Sequence, residues 1–461
     1  MSKTKTIWSC SECGHTQAKW TGSCTMCKKW NTFVEEVDTP ESFERFAACS
    51  EKAAKPMRIS EVDHVEFKRM KTGMEEFDRL MGGGIVRGSL TLVGGDPGIG
   101  KSTLMLQISD QLATQGLTVL YVCGEESVAQ TSLRAKRLGI KSEGLYLLSE
   151  TNFTNIKLHI DQLKPDVIIA DSIQIIYKPE LPSAPGSVTQ VREIATEFLH
   201  IAKGMNISIF LIGHVTKTGE IAGPRVLEHL VDTVLDFDGD RQHGFRMLRG
   251  IKNRFGPTDD IAVFQMGELG MKEVGNPSLI FLEERAHKTP GSAIIPTVEG
   301  TRAFLVEMQA LVAPSSFSNS SRKSTGLNPN RLSLLIAVLE KRMGFQLHNK
   351  DVFVSVAGGL KITEPAIDLG IVMAISSSMK NQVLNPKTVV LGEVGLGGEV
   401  RTIPRIESRI KEAINMGFTS CILPKRNLNG LSKGLTEKIS LHGIDYIEEA
   451  IVLKHTQTKG P

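Results

Sequence analysis

A glycine-rich run carries the residue types needed to hold a polyphosphate. The segment GDPGIGKST fits the pattern G-x4-G-K-[ST]. Its glycines let backbone N–H groups wrap phosphate oxygens at a helix N-terminus, where the helix dipole favours negative charge. Lys101 would reach the β- and γ-phosphates, and the Ser102 hydroxyl would ligate Mg²⁺. We predict that ATP or ADP contacts the whole run: Gly95, Asp96, Pro97, Gly98, Ile99, Gly100, Lys101, Ser102 and Thr103.

Acidic residues stand where two apolar runs end. PDVIIADSIQ contains a strand that ends at Asp171, which suits the Mg²⁺ shell and completes the nucleotide site. LTVLYVCGEES brings Glu125 and Glu126 to the end of another strand. Ligands of α/β sheets bind at the carboxyl ends of strands, and a glutamate there can deprotonate the attacking water. We expect Glu125 to be this base, with Glu126 as the alternative.

A further strand, ISIFLIGHVTK, ends in His214, Thr216 and Lys217. Polar side chains at that position could sense the γ-phosphate. The alternative for His214 is a structural role, which is the commoner fate of a single histidine.

Two cations stand two residues apart in IKNRFGPT, which follows another predicted strand. Phosphoryl transfer needs positive charge on its transition state beyond Lys101 and Mg²⁺, and in many P-loop enzymes a neighbouring subunit supplies an arginine. Lys252 and Arg254 share one side of an extended segment because side chains alternate. We therefore expect Lys101, Glu125, Lys252 and Arg254 to be catalytic, the last two across a subunit contact of a ring or filament. The alternative is a solvated turn.

Four cysteines form the spacing C-x2-C-x10-C-x2-C near the start of the chain. Each C-x2-C turn lets two thiolates reach one ion, and four thiolates leave no open position. We predict one structural Zn²⁺ per chain, which supplies the folding energy of a segment too short to build a core. The pairs Lys19-Trp20 and Lys29-Trp30 could touch nucleic acid or pack the module. The predicted zinc ligands are Cys10, Cys13, Cys24 and Cys27.

Length and texture divide the chain into several domains. At 461 residues it exceeds what one hydrophobic core usually serves. We predict a zinc finger at 1–37, a linker at 38–57, an α/β P-loop ATPase domain at 58–275 and a second α/β domain at 279–454. In the last domain NRLSLLIAVLEKRMG has the period of an amphipathic helix, SAIIPTVEGTRAFLVEMQALV of a strand hairpin, and SSFSNSSRKSTG of a polar loop.

The composition is that of an ordinary globular protein, with 41% hydrophobic and 23% charged residues and a net charge of +3. That charge is too small to indicate nucleic acid by itself. The first residues lack the apolar stretch of a secretory signal, and no apolar run is long enough to span a bilayer. We expect a cytoplasmic protein without membrane contact.

The four-cysteine knuckle, GGDPGIGKST, GEES, GHVTK and KNRFG occur in this order. This order resembles the bacterial RadA (Sms) family of recombination and repair ATPases over essentially the whole chain. The resemblance implies a RecA-like core and a homo-hexameric ring on single-stranded and branched DNA. It also implies a DNA-dependent ATPase and helicase that promotes branch migration of RecA-type strand exchange, with a functional link to the RecA recombinase.

The C-terminal region is similar to the proteolytic domain of Lon proteases at LGEVGLGGEVRTIPRIESRIKEAINMGFTSCILPKRN. Lon-like enzymes cut with a serine activated by a lysine. Ala366 and Glu407 stand at those two positions, so we expect the domain to be proteolytically inactive. An ATP-dependent protease and a nucleotide-switched DNA-binding scaffold without translocation remain as alternatives. Four cations could line a DNA channel or belong to a solvated helix face: Arg401, Arg405, Arg409 and Lys411.

Overall fold

The computed structural model describes residues 5–10, 12–13, 15–38, 69–213, 224–239, 244–258, 260–283, 289–315 and 320–456. The chain forms two compact units, residues 1–238 with 246–273 and residues 239–245 with 274–461. The four domain boundaries expected from the sequence stay predictions. Within the described ranges, every helix is too short or too polar to cross a membrane.

The four-cysteine segment folds around a small antiparallel sheet. Its strands are β1 (Lys5–Cys10), β2 (Thr16–Gln17) and β3 (Phe33–Asp38), in the order β2-β1-β3. Cys10 lies opposite Phe33 in the β1–β3 pairing, and both are buried with Cys24. This cluster is too small to fold a domain on its own, as expected for a metal-dependent module.

The rest of the first unit is a nine-stranded sheet preceded by a short hairpin. Six strands are parallel, in the order β11-β6-β10-β9-β7-β8 with β8 at the edge, and β12, β13 and β14 extend the sheet beyond β11. The hairpin is β4 (Arg69–Met70) with β5 (Ile85–Val86). The sheet strands are β6 (Leu90–Gly95), β7 (Val119–Cys123), β8 (Leu145–Leu148), β9 (Val167–Asp171), β10 (Ser208–Ile212), β11 (Thr233–Asp238), β12 (Phe245–Asn253), β13 (Ile261–Gly267) and β14 (Gly270–Glu273).

Helices cover both faces of this sheet, which explains why β6, β7 and β10 are buried along their whole length. One face packs with α2 around Leu104 and Ile108, and the other packs with α4 and α5 around Ile156 and Phe198. The helices are α1 (Glu75–Leu80), α2 (Lys101–Thr114), α3 (Val128–Arg137), α4 (Phe153–Leu163), α5 (Val188–Met205) and α6 (Pro224–Leu230).

The second unit is built on a mixed seven-stranded sheet in the order β17-β18-β16-β15-β19-β22-β23. Its strands are β15 (Ser292–Glu299), β16 (Arg302–Pro314), β17 (Arg322–Thr325), β18 (Lys350–Val356), β19 (Thr388–Val390), β22 (Ser420–Pro424) and β23 (Ser440–Ile444), with a hairpin of β20 (Glu393–Val394) and β21 (Val400–Arg401). The helices are α7 (Pro277–Glu283), α8 (Pro329–Met343), α9 (Asp368–Met379), α10 (Ile406–Asn415), α11 (Lys433–Thr436) and α12 (Ile447–Thr456).

Helix α9 is buried from Asp368 to Ser377, and Asp368 forms an ion pair there with Arg331 of α8. The amphipathic helix and the strand hairpin expected from the sequence are present as α8 and as β15 with β16. The polar loop is wrong in part, because Arg322–Thr325 forms the edge strand β17 against β18. The predicted α/β class is confirmed for both units.

Candidate nucleotide-hydrolysis site and metal centre

The glycine loop joins the end of β6 at Gly95 to the start of α2 at Lys101. Gly95 and Gly100 have φ angles of +138° and +117°, which favour glycine. A Cβ at Gly100 would lie 2.2 Å from the Cε of Met271. The Lys101 ammonium is buried and donates to the carbonyls of Gly95 at 2.7 Å and Asp96 at 3.0 Å. The sequence folds here into a loop whose cation is already desolvated.

Carboxylates face that cation. Burial lowers the pKa of Lys101, and the negative charges of Asp171 and Glu125 oppose this. Asp171 ends β9 opposite Cys123 of β7, so the glutamates that follow Cys123 share its edge of the sheet. The buried Tyr121 hydroxyl donates to Asp171 Oδ2 at 2.6 Å and fixes the acid. The Asp171 carboxylate and the Ser102 hydroxyl are hard oxygen donors that fit Mg²⁺.

The two glutamates have different partners. The Ser172 hydroxyl, which is fully buried, donates to Glu125 Oε1. Glu126 forms an ion pair with Arg134 of α3. Glu125 is therefore the glutamate held beside Asp171, while the charge of Glu126 is balanced by Arg134. Sequence reasoning missed Ser172, although a hydroxyl directly after the acid at the end of β9 was an available signal.

A cavity of about 570 Å³ opens over the glycine loop. Its wall includes Lys101, Ser102 and both glutamates, and the far side is formed by Arg134 and Arg137 of α3 and by the β13–β14 turn at Met266–Gly270. This volume suits a small-molecule ligand. Sequence reasoning missed α3 and the turn because neither carries a phosphate-binding pattern.

Asp236 of β11 is a second acid near the loop that the sequence did not reveal. It pairs with Gly94 of β6, and its Oδ1 is buried without a hydrogen-bond partner among the described residues. Burial raises its pKa to about 6, with repulsion from Asp238 and Asp96 and opposing attraction from Arg249 and Lys101. An acid with a raised pKa therefore lies beside the phosphate loop.

Lys252 and Arg254 lie near the opposite end of the strands from the glycine loop. β12 runs antiparallel to β11, with Asn253 opposite Thr233, whereas Phe237 at the other end of β11 pairs with Gly95. The Lys252 ammonium donates to the carbonyls of Glu228 at 2.5 Å and Val231 at 2.8 Å. Arg254 Nη1 lies 3.3 Å from Asp232 Oδ1.

The other residues of KNRFG anchor the segment. The buried Asn253 side chain accepts from the Phe255 N–H at 2.9 Å and donates to the Leu80 carbonyl at 3.3 Å. A Cβ at Gly256 would lie 2.7 Å from the Cα of Gly82, so only glycine fits. The motif thus combines two cations with a rigid backbone. His214, Thr216 and Lys217, expected near the γ-phosphate, lie outside the described residues.

The four cysteines converge as the spacing predicts. Their sulfur atoms all lie within 4.8 Å of one another, with Cys10–Cys27 at 3.7 Å and Cys13–Cys24 at 3.5 Å. A tetrahedral zinc with Zn–S bonds of about 2.3 Å requires sulfurs about 3.8 Å apart, so the cluster fits Zn²⁺. Burial raises the pKa of Cys10, but hydrogen bonds with Thr32 and the backbone outweigh it and bring the pKa to about 6. Burial raises the pKa of Cys13 to about 12, so a cation is needed before both ionise.

Trp20 and Trp30 lie outside the buried cluster of this module, whereas Phe33 and Trp8 belong to it. Trp30 is 75% exposed and Trp20 is 51% exposed. Both rings lie beside Gly22, where an added Cβ would be 3.2 Å from the Trp30 indole and 4.0 Å from the Trp20 indole. Of the two alternatives for the Lys-Trp pairs, packing holds in part, because Lys29 forms an ion pair with Glu12 and Trp30 lies against Gly22. Contact with nucleic acid stays a prediction.

The cations of the second unit do not form one exposed row. Arg409 is 1% exposed and donates to the Pro296 carbonyl at 2.8 Å and to Glu364 at 2.9 Å, so its expected place on a channel or solvated face is wrong. Arg401 pairs with Glu393 and Glu399, Lys411 pairs with Glu407, and Arg405 is exposed. Ala366 is buried.

Three segments of the chain match models of known protein families. Residues 55–220 match a family model described as AAA domain, residues 8–35 match the rubredoxin metal binding domain, and residues 333–427 match subunit ChlI of Mg-chelatase. The chain is 53% identical to a DNA repair protein RadA from Chlamydia pneumoniae, over 98% of this chain and 99% of that protein. It is 51% identical to the DNA repair protein RadA of Bacillus subtilis (strain 168), with the same coverage.

Among solved structures, a KaiC-like protein from Pyrococcus horikoshii OT3 is 21% identical, with a TM-score of 0.39 over 45% of this chain and 99% of that chain.

Proposed function

Because this chain belongs to the RadA family of DNA repair proteins, we propose that it is a ring-shaped, DNA-dependent ATPase that drives branch migration of recombination intermediates. The coarser part is already established: the chain has a P-loop ATPase domain and a zinc-binding cysteine cluster. The proposal adds a homo-hexamer, helicase action on single-stranded and branched DNA in the cytoplasm, and cooperation with the RecA recombinase.

We assign each of these residues a role in hydrolysis. The nucleotide lies along the loop Gly95–Thr103, and Lys101 exchanges its two carbonyl partners for phosphate oxygens. Glu125, held by Ser172, takes a proton from the attacking water. Ser102 and Asp171 would hold Mg²⁺, which would supply positive charge to the phosphates.

The observation that carries the ring is the position of Lys252 and Arg254. Four residue steps along β11 separate the Thr233 level from the Phe237 level, which corresponds to roughly 13 Å, and the glycine loop lies at the far end. An arginine side chain does not extend that far. Lys252 pairs with Val234, three residue steps or roughly 10 Å from the Phe237 level, which also exceeds the length of a lysine side chain. We therefore assign both cations to a nucleotide on another chain, as arginine fingers act.

A mixing experiment tests this proposal. Lys101→Ala and Arg254→Ala should each be inactive alone, and subunit exchange should create contacts that join an intact loop to an intact finger. ATP hydrolysis should then return at a fraction set by random mixing. Arg254→Ala should keep its affinity for ATP while turnover falls about 10³-fold or more. Demonstrated exchange with no recovered hydrolysis would exclude the trans arrangement.

DNA dependence separates the remaining functions. Single-stranded DNA should stimulate hydrolysis, and forked DNA should be unwound, whereas a nucleotide-switched scaffold would bind DNA without unwinding it. The protease alternative lacks a nucleophile at Ala366, and Glu407, whose carboxylate accepts the Ser432 N–H and pairs with Lys411, cannot act as the lysine base. Casein cleavage that a serine-directed reagent blocks would restore that alternative.

A further inference from the structure

Asp232, between α6 and β11, lies at the centre of the contacts that hold the KNRFG cations. Its side chain is only 4% exposed. Oδ2 accepts the Leu90 N–H at 3.1 Å and the Lys203 ammonium at 2.7 Å, and Oδ1 accepts Arg254 Nη1 at 3.3 Å. Two cations and one backbone donor compensate the burial of this carboxylate and fix its orientation.

The backbone around Asp232 holds the same segment. The Arg254 N–H donates to the Asp232 carbonyl at 3.1 Å, and the Asp232 N–H donates to the Leu90 carbonyl at 2.9 Å. Lys252 donates to the carbonyl of Val231, the residue before. Both cations are therefore tied to one short stretch, residues 228–232, and that stretch is tied to the start of β6.

The Arg254 guanidinium is held by Asp232 while its side chain stays more than half exposed. Its side chain is 56% exposed, and among the described residues its one side-chain hydrogen bond goes to Asp232. A guanidinium has five N–H donors. The contact with Asp232 thus fixes the direction of the side chain and leaves donors for an anion outside the chain.

We propose that Asp232 is a positioning residue. It orients the KNRFG cations, chiefly Arg254, toward the nucleotide of the neighbouring subunit. This inference rests on the proposed action of Arg254 on a neighbouring subunit, and it adds the residue that orients the Arg254 side chain. Asp232 touches neither nucleotide nor the reacting atoms. Its role is to reduce the number of directions that the Arg254 side chain can take before the transition state forms.

Asp232→Asn is the test variant, because an amide oxygen can still accept the Leu90 N–H while the charge is lost. We expect kcat to fall about 10- to 100-fold, with KM for ATP changed less than about twofold. Asp166→Asn is the matched control: that carboxylate also accepts a backbone N–H, from Thr118, and pairs with Arg87 in place of a KNRFG residue, so the variant should keep wild-type kcat.

Mixing then separates positioning from simple structural damage. Asp232→Asn with Lys101→Ala should recover hydrolysis, and Asp232→Asn with Arg254→Ala should not, because both of those variants lack a working finger. Damage transmitted along β6 to the glycine loop would give the reverse pattern and overturn the inference, as would a wild-type kcat for Asp232→Asn. If Asp232→Asn does not fold, Asp232→Glu, which keeps the charge, takes its place and should show a smaller loss in the same mixing group.

Failure of the two proposals is distinguishable. The Lys101→Ala and Arg254→Ala mixture tests the trans arrangement alone. If that mixture recovers hydrolysis, but Asp232→Asn recovers it with Arg254→Ala and not with Lys101→Ala, only the positioning role is overturned.

Discussion

The Ser172 hydroxyl is buried between the acid that ends β9 and the glutamate that follows β7. Glu125 is a strand-end residue with an exposed side chain, so the Ser172 contact limits its orientation. A general base must stay within hydrogen-bond reach of its water. If Glu125 is the proposed base, we predict that Ser172 is a second determinant of hydrolysis.

Ser172→Ala should lower kcat about 10- to 100-fold while the affinity for ATP stays the same, because the loop that binds phosphate is untouched. Steady-state hydrolysis and nucleotide titration measure the two quantities. Glu126→Gln is the control and should have a smaller effect on kcat, since Glu126 is paired with Arg134. A larger loss for Glu126→Gln than for Ser172→Ala would move the base to Glu126.

Asp236→Asn should stabilise the nucleotide-free protein at neutral pH. The folded-state pKa of Asp236 is about 6, above its ordinary value of 3.8. Its contribution to folding is therefore fully present below pH 3.8 and is lost as the pH rises through 6. The variant should gain about 1–3 kcal/mol over wild type at about pH 8, and the gain should shrink as the pH falls to about 5.

Thermal unfolding at several pH values measures this difference. Asp161→Asn, at an exposed acid of α4, is the control for the loss of one carboxylate charge. A constant difference between wild type and Asp236→Asn from about pH 5 to 8 would contradict the raised pKa.

At the residue scale, sequence reasoning found the groups whose chemistry lies in local spacing. The loop Gly95–Thr103 and the four cysteines are of this kind, and the cysteine cluster converges as expected. Tyr121 and Asp236 were not found, because only strand register brings them to Asp171 and to Gly94. Such contacts join residues far apart in the chain and leave no local pattern.

At the element scale, buried strands were readable because parallel strands covered on both faces are continuous apolar runs. The edge strand β17 was not, because RKST is polar and has one neighbour, β18. Helix α10 shows the converse limit. The charged sequence RIESRIKEAIN suggests a solvated face, yet Arg409 is buried against Glu364 while Lys411 is exposed.

Arg409→Met should destabilise the second unit by about 3–5 kcal/mol, because Glu364 would keep a charge in a largely buried place without its partner. Lys411→Met, on the same helix, removes an exposed pair with a 3.7 Å separation and should cost about 0–1 kcal/mol. Thermal or denaturant unfolding of the two variants gives the comparison. Equal stabilities would show that the Arg409 pair contributes as little as a surface pair.

At the scale of the whole molecule, the sequence identified both α/β units. How one chain can serve another depends on which end of the strands carries the glycine loop and which end carries the two cations. Motif order along the chain does not contain that information. The register of β11 between β6 and β12 does, since it separates Gly95 from Asn253.

This separation gives the chain a direction. In the proposed trans arrangement, one end of the strands offers cations and the opposite end receives them, so two chains related by a twofold axis cannot both be served through one contact. An open row of n chains completes n − 1 sites and always leaves one terminal nucleotide without a finger. A closed row completes all n. The rate of ATP hydrolysis per chain therefore depends on whether the ring of chains is closed. On dilution, this rate should fall as the contact that closes the ring is lost, and not as DNA dissociates.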